Sequence, residues 1–177
     1  MLNIILIFVA VVALIILVFA SRQPDTFQVS RSISMAAPPA TVFTQINDLQ
    51  NWQAWSPWAK LDPNAKHSFS GPQAGAGANM SWAGNNKVGE GSMTIVESLP
   101  HDLIRLKLDF LKPFKASNTA EFSFKSAGEN TIVVWSMSGK NNPIGKLMSL
   151  IMNCDKVLGC QFEQGLSAIK QIVEEAG

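Results

Sequence analysis

The sequence predicts an α+β domain preceded by one apolar helix, and three observations carry that prediction. From Leu2 to Ala20 only Asn3 is polar. From Lys66 to about residue 139, short segments alternate apolar and polar residues between glycine-rich turns. From Pro143 to Glu175, apolar residues recur at steps of three, four or seven, the spacing of a helix with one buried face.

The first of these segments is long enough to cross a bilayer, since a helix rises ~1.5 Å per residue and the hydrocarbon core is ~30 Å thick. We expect a transmembrane anchor over residues 1–20. A cleaved signal peptide is the rival, with Val18 and Ala20 as small residues before a cut. The absence of Lys or Arg ahead of the apolar run, and the length of that run, favour the anchor. Arg22 and Arg31 follow the span, so the positive-inside tendency places the domain on the cytoplasmic side of the membrane. Residues 21–26, with Pro24, form a short linker that reaches only ~20 Å when extended. The domain over residues 27–177 is therefore held close to the lipid surface.

Phe27 to Ile33 alternates as a first strand, and Ala37-Pro38-Pro39 stops it. Pro39 can open a helix with Val42, Phe43, Ile46 and Leu49 on one face, weakened near Asn47 and Asp48. Trp52 and Trp55 share one face of a further short turn before Pro57 breaks it. Six antiparallel strands are then expected near 66–70, 78–83, 87–98, 101–110, 115–126 and 130–139. Ile104, Leu106, Leu108 and Phe110 take one face of the fourth, with Arg105, Lys107 and Asp109 on the other. The terminal helix, with Leu147, Ile151, Leu158, Phe162, Leu166, Ile169 and Val173 on its seam, covers the apolar face. Asn153 to Asp155 mark a break near its start, and Gly159 and Gly165 permit close packing or a kink.

Fourteen basic residues against thirteen acidic ones, with no basic stripe, exclude a nucleic-acid footprint. Cys154 and Cys160 lie six apart, ~120° around a helix and ~9 Å along it, too far for a disulfide within one helix. They read as partly buried free thiols, with neither histidine near in sequence to complete a metal site. The chain carries no phosphate loop, nucleophile elbow or dinucleotide fingerprint, and we expect neither cofactor nor metal.

In combination, the Ile33-Ser-Met-Ala-Ala-Pro-Pro-Ala-Thr-Val-Phe43 opening, the Asn47-Asp-Leu-Gln-Asn-Trp-Gln-Ala-Trp-Ser-Pro-Trp58 segment, Gly89-Glu-Gly91 and Gly165-Leu166 resemble the START-like, or SRPBCC, superfamily, in its polyketide cyclase/dehydrase-like branch. The resemblance spans Phe27 to the C-terminus. It implies a helix-grip fold, a curved antiparallel sheet of about six to seven strands around a long terminal helix with two short helices after the first strand. It also implies a deep apolar cavity, used in relatives for lipids, sterols and polyketides. It does not imply a single activity.

Alternation assigns Trp82, Met93, Leu106, Leu108, Phe122, Phe124, Trp135 and Met137 to the inward sheet face, opposite Leu147, Ile151 and Phe162 of the helix. With Trp55 they are the candidate lining for an apolar small molecule or lipid, although the same pattern describes an ordinary core. Trp52 and Trp58 are candidates for a lid or a membrane contact. Glu90, between two glycines, is the one weak candidate for acid–base chemistry, and His67 and His101 read as exposed edge residues. The expected function is a membrane-tethered binding protein without covalent chemistry. A cyclase/dehydrase-like enzyme and a protein-interaction module with a filled core are the alternatives.

Overall fold

The computed structural model describes residues 1–151 and 153–175. The order is α1 (Leu2–Ser21), β1 (Thr26–Met35), α2 (Pro39–Asn47), a 3-10 turn (Leu49–Asn51), α3 (Trp52–Trp55), α4 (Pro57–Leu61) and β2 (Lys66–Ser70). Then come β3 (Asn79–Ala83), β4 (Glu90–Leu99), β5 (Leu103–Lys112), β6 (Ala116–Ala127), β7 (Asn130–Lys140), α5 (Pro143–Ile151) and α6 (Cys154–Glu175). The seven strands form one sheet in the order β1-β7-β6-β5-β4-β3-β2, with every neighbouring pair antiparallel. The first strand pairs with the last, so α2 to α4 carry the chain from one edge of the sheet to the other.

Alternation along the strands produces the two faces. In β5, Ile104, Leu106 and Leu108 are buried, while Arg105 on the outer face reaches Glu97 of β4 and Glu121 of β6. In β7, Val133, Trp135 and Met137 are buried in the same way. Register shifts in β4 at Glu90/Gly91 and Ile95/Glu97 add local twist and bend that strand, which favours a curved sheet over a flat one. The concave side holds α2, α3 and the seam of α6 made by Phe162, Leu166, Ile169 and Val173.

The terminal helix differs from the single unit expected from its seam. It is two helices, α5 and α6, and Asn153 starts the second: its Oδ1 accepts the Lys156 N–H at 3.0 Å, and its carbonyl accepts that of Val157 at 3.0 Å. The break removes Leu147 from the core, and this side chain is exposed on α5. Ile151 lies outside the described side chains, as does Cys154, whereas Cys160 is exposed rather than partly buried.

α6 runs unbroken across both of its interior glycines, so they serve packing rather than a kink. A Cβ on Gly165 would lie 2.8 Å from Cζ3 of Trp135, and one on Gly159 would lie 2.0 Å from Nη2 of Arg31. Arg31 crosses α6 at that notch and donates to Glu163 at 2.8 Å and to Asp155 at 3.0 Å. The hydrogen bond from Arg31 holds the Asp155 carboxyl below the usual carboxylate range. At the other end of α6, Glu174 accepts the Ala36 N–H at 2.6 Å. That bond, with Lys170 assisting, lowers its pKa.

Only four residues, Arg22 to Asp25, separate α1 from β1. They are pinned rather than loose: Asn141 donates its side-chain N–H to the Pro24 carbonyl at 3.0 Å and its backbone N–H to that of Asp25 at 2.8 Å. Lys146 of α5 pairs with the Asp25 carboxylate and holds it below the usual range, and α5 lies alongside α1. From Asn3 to Phe19 every described side chain of α1 is exposed, so this helix is not part of the domain core.

Candidate functional site

The site is built on a cluster of indole rings. α2 ends at Asn47, leaving its last carbonyls without helical partners. Trp52 Nε1 donates to the Ile46 carbonyl at 2.9 Å, and Trp55 Nε1 donates to that of Gln45 at 3.1 Å. The three-residue spacing of these tryptophans thus caps a helix from below and packs both rings together, with centroids 4.4 Å apart. Trp135 of β7 stacks between Phe162 at 4.2 Å and Phe122 at 4.8 Å, and Trp58 meets its edge at 5.9 Å.

Next to this cluster lies a cavity of about 310 Å³. Trp52, Trp58, Trp82, Met93, Leu108, Trp135 and Met137 are on its wall, together with Met80, Val88, Phe110 and Leu158. The volume falls within the range of small-molecule pockets, and the lining is predominantly apolar. Gly91 shapes one side of it: a Cβ there would lie 2.5 Å from Cζ2 of Trp82 and 2.6 Å from the Asp109 carbonyl. Trp82 can therefore lie flat across β4, and its Nε1 donates to the Val88 carbonyl at 3.3 Å.

The remaining sequence candidates lie elsewhere. Trp55, Leu106, Phe122, Phe124 and Phe162 are buried in the core and do not reach the cavity, because α2 and α3 fill that end of the inner face. Leu147 faces outward on α5. Glu90 is not on the wall either, since its carboxylate accepts Lys112 Nζ at 2.7 Å. Trp52 is buried, 3% exposed, which leaves Trp58 as the one of that pair able to reach a surface.

His67 corrects the expectation in the other direction, because it is half-buried and lies on the wall. The signal was present in the pairing: His67 is opposite Trp82, and directly opposed residues share a face. His101, in contrast, is exposed at the β4–β5 turn, edge-on to Phe43 at 5.6 Å. Among the described residues, no group of three or more His, Cys, Asp or Glu side chains is placed to hold a metal ion.

Strand register places part of the cavity wall at one end of the sheet. Thr26 opposes Lys140, Asn118 opposes Gly139, Phe110 opposes Ala116, Glu90 opposes Lys112, and Lys66 opposes Ala83, so all these residues lie at one end of the sheet. The outer wall, with Ala65, His67, Lys87, Val88, Lys112, Pro113 and Asn118, belongs to that end. It is also the end from which α1 departs, one short connection before Thr26. Exposed apolar side chains gather there: Leu111 and Phe114 at the β5–β6 turn, and Ile144, Leu147 and Leu150 on α5. Asn142 donates to the Lys115 carbonyl at 3.5 Å and joins that turn to the start of α5.

Several solved structures share the fold. Protein CV1439 from Chromobacterium violaceum superposes with a TM-score of 0.60 at 15% identity, covering 86% of this chain and 99% of that one. Protein MLL2253 from Mesorhizobium loti gives 0.64 at 11% identity, covering 85% and 99%. The di-domain ARO/CYC BexL from the BE-7585A biosynthetic pathway gives 0.62 at 16% identity, covering 88% of this chain and 52% of its own length. At these identities the likeness is one of fold. No curated protein sequence matches the chain. Residues 26–174 match the family described as polyketide cyclase / dehydrase and lipid transport. With its seven-stranded sheet closed around α6, the chain belongs to that family, within the helix-grip superfamily.

Proposed function

We propose that the chain is a membrane-tethered binding protein that takes an apolar small molecule or lipid into its central cavity, without covalent chemistry. The observation that carries this reading is the apolar cavity of about 310 Å³, beside a cluster of stacked aromatic rings. Each methylene moved from water into such a space contributes about 0.8 kcal/mol, so a modest hydrocarbon body suffices for useful affinity. The tether reading is supported by the mean hydropathy of 3.4 over an 18-residue window within Asn3–Ser21 and by the exposure of that helix. A mouth at the end where α1 departs would face the bilayer, with Leu111, Phe114 and the exposed side of α5 around it. In that arrangement the ligand is collected from the membrane, and Trp58 stands inside the opening.

On this reading residues 1–20 anchor the chain and the domain lies on the cytoplasmic side. Arg22 carries most of the charge argument, because Arg31 is committed to Asp155 and Glu163. A compartment-specific reporter fused to the C-terminus and active only outside the cytoplasm would reverse the orientation. For the binding function, full-length protein purified in detergent is analysed by native mass spectrometry and lipid extraction. A co-purifying apolar molecule is expected. Its absence, together with no thermal shift across a lipid panel, would remove the binding function.

The position of His67 favours one second reading, a cyclase/dehydrase-like enzyme in which the cavity folds a substrate and His67 moves a proton. It requires His67→Ala to keep binding while losing turnover of a linear polyketide. Equal turnover in both proteins would dismiss it.

A further inference from the structure

Fourteen basic residues against thirteen acidic ones make the chain nearly neutral, but the fold does not mix them evenly. At the end of the sheet from which α1 departs, the strand termini and connections carry Arg22, Lys66, Lys87, Lys112, Lys115 and Lys140. The carboxylates at that end are all occupied. Asp25 pairs with Lys146, Glu90 with Lys112 and Asp109 with Lys107, while Asp62 accepts the backbone N–H groups of Asn64 and Asn85. Arg22, Lys66, Lys87, Lys115 and Lys140 are exposed, and among the described residues none of them has a carboxylate within ion-pair distance. The opposite end has the reverse bias: Asp48, Asp102, Glu129, Glu174 and Glu175 stand there against Lys125 and Lys170.

Exposed apolar side chains share the basic end. Leu111 and Phe114, at the end of β5 and in the turn after it, are 55% and 51% exposed, and Ile144, Leu147 and Leu150 recur at steps of three along α5. Leu61 joins them from the end of α4, where its carbonyl accepts Asn85 Nδ2 at 3.3 Å. Apolar side chains rimmed by unpaired lysines suit a surface that is oily and negatively charged at once. We propose that this end of the domain is a docking face for an anionic bilayer: the lysines lie against phosphate-bearing headgroups while Leu111, Phe114 and the α5 stripe enter the interfacial layer. This rests on the tether reading above and adds to it a second, lipid-selective contact. The four residues Arg22 to Asp25 reach only ~14 Å when extended, so a spanning α1 keeps this face within range of the headgroups. The acidic end is then turned away from the membrane, which fixes the tilt of the domain as well as its distance.

The test uses the full chain in two kinds of nanodisc, one of phosphatidylcholine alone and one of equal parts phosphatidylcholine and phosphatidylglycerol, with backbone amide exchange followed by mass spectrometry. Residues 111–116 and 143–151 are expected to exchange about fivefold more slowly in the anionic discs, while 99–102 and 127–130 at the far end exchange alike in both. Salt at about 0.5 M, which shortens the screening length to ~4 Å, should remove the difference. Lys66→Gln, Lys115→Gln and Lys140→Gln made together should also remove it, and with no ion pair given up the melting temperature should stay where it was. Equal exchange in the two lipids, or a slowing that survives both salt and the lysine replacements, would overturn the proposal and leave the tether intact. Slowing that appears in detergent and grows with protein concentration would give the face to a second copy of the chain, and would overturn it too. A chain that does not stay with the discs on size exclusion would remove the tether, and this docking with it.

Discussion

Replacing Gly165 with alanine should destabilise the protein, against the local preference of the helix. Alanine in place of glycine inside a helix is favourable by ~1 kcal/mol. Here the new Cβ would stand 2.8 Å from Cζ3 of Trp135 and 3.3 Å from Cδ of Pro57. Neither neighbour can yield easily. Trp135 is stacked between Phe122 and Phe162, and Pro57 is a buried ring at the first position of α4. Overpacking a filled core costs ~1–3 kcal/mol, so the net effect is a loss of ~0–2 kcal/mol, centred near 1. For a domain of this size that lowers the melting temperature by about 2–4 °C. Gly159→Ala on the same helix is the control. The three atoms nearest its Cβ would all belong to the guanidinium of Arg31, the far end of a flexible side chain that can swing into solvent. The helix gain then survives, while the exposed ion pairs given up contribute little. Thermal unfolding of both full-length variants, followed by near-ultraviolet circular dichroism, should place Gly159→Ala at or above the unaltered protein and Gly165→Ala below it. A Gly165→Ala protein melting as high as its Gly159→Ala counterpart would refute the account of the Trp135 notch.

Further outcomes follow from other contacts. Thr131 is fully buried and donates Oγ1 to the Ala37 carbonyl at 2.6 Å, so Thr131→Val, which keeps the shape, should cost ~1–3 kcal/mol in denaturant unfolding by leaving that carbonyl unpaired. Gly91→Ala should lower stability, because the new Cβ meets the Asp109 backbone carbonyl, and should push Trp82 toward the cavity and weaken uptake of any apolar probe by the protein that remains folded; unchanged probe affinity would count against the wall described here. Asp155 and Glu174 have pKa values lowered in the folded state. Their contribution is therefore fully present above the ordinary carboxylate range and is lost as pH falls through that range to the folded-state values. The melting temperature should decline on acidification there, and Glu174→Gln should flatten part of that decline.

The strands and α6 were legible because period-two and period-four patterns act directly on burial: Ile104, Leu106 and Leu108, or Phe162, Leu166 and Ile169, have no other way to leave water. The division between wall and core was less legible. Alternation assigns a face but not a depth along the strand, so Leu106 and Leu108 look equivalent although only Leu108 reaches the cavity. Depth depends on where α2 and α3 end, and that is set by the indole caps on Gln45 and Ile46, a contact between residues that sequence spacing alone does not pair. The position of His67 is not legible from spacing, because a strand at the sheet edge looks exposed until its partner Trp82 is known. The place of Leu147 is not legible from the seam because Asn153 starts a new helix, so α5 does not continue into α6.

The indole cluster gives the domain an optical property. The chain has five tryptophans and no tyrosine, so indoles dominate its near-ultraviolet emission. Trp52, Trp55 and Trp58 are each linked to Trp135 by centroid distances of 5.8 to 6.4 Å, close enough for excitation to pass among all four before light is emitted. Emission from these four therefore reports their shared surroundings, and a molecule settling against Trp135 should alter it collectively. Trp82, edge-on to Phe110 at 5.7 Å over Gly91, is the fifth indole and lines the same cavity as Trp58 and Trp135. Were the proposed ligand to enter the cavity, its arrival would be readable without a label.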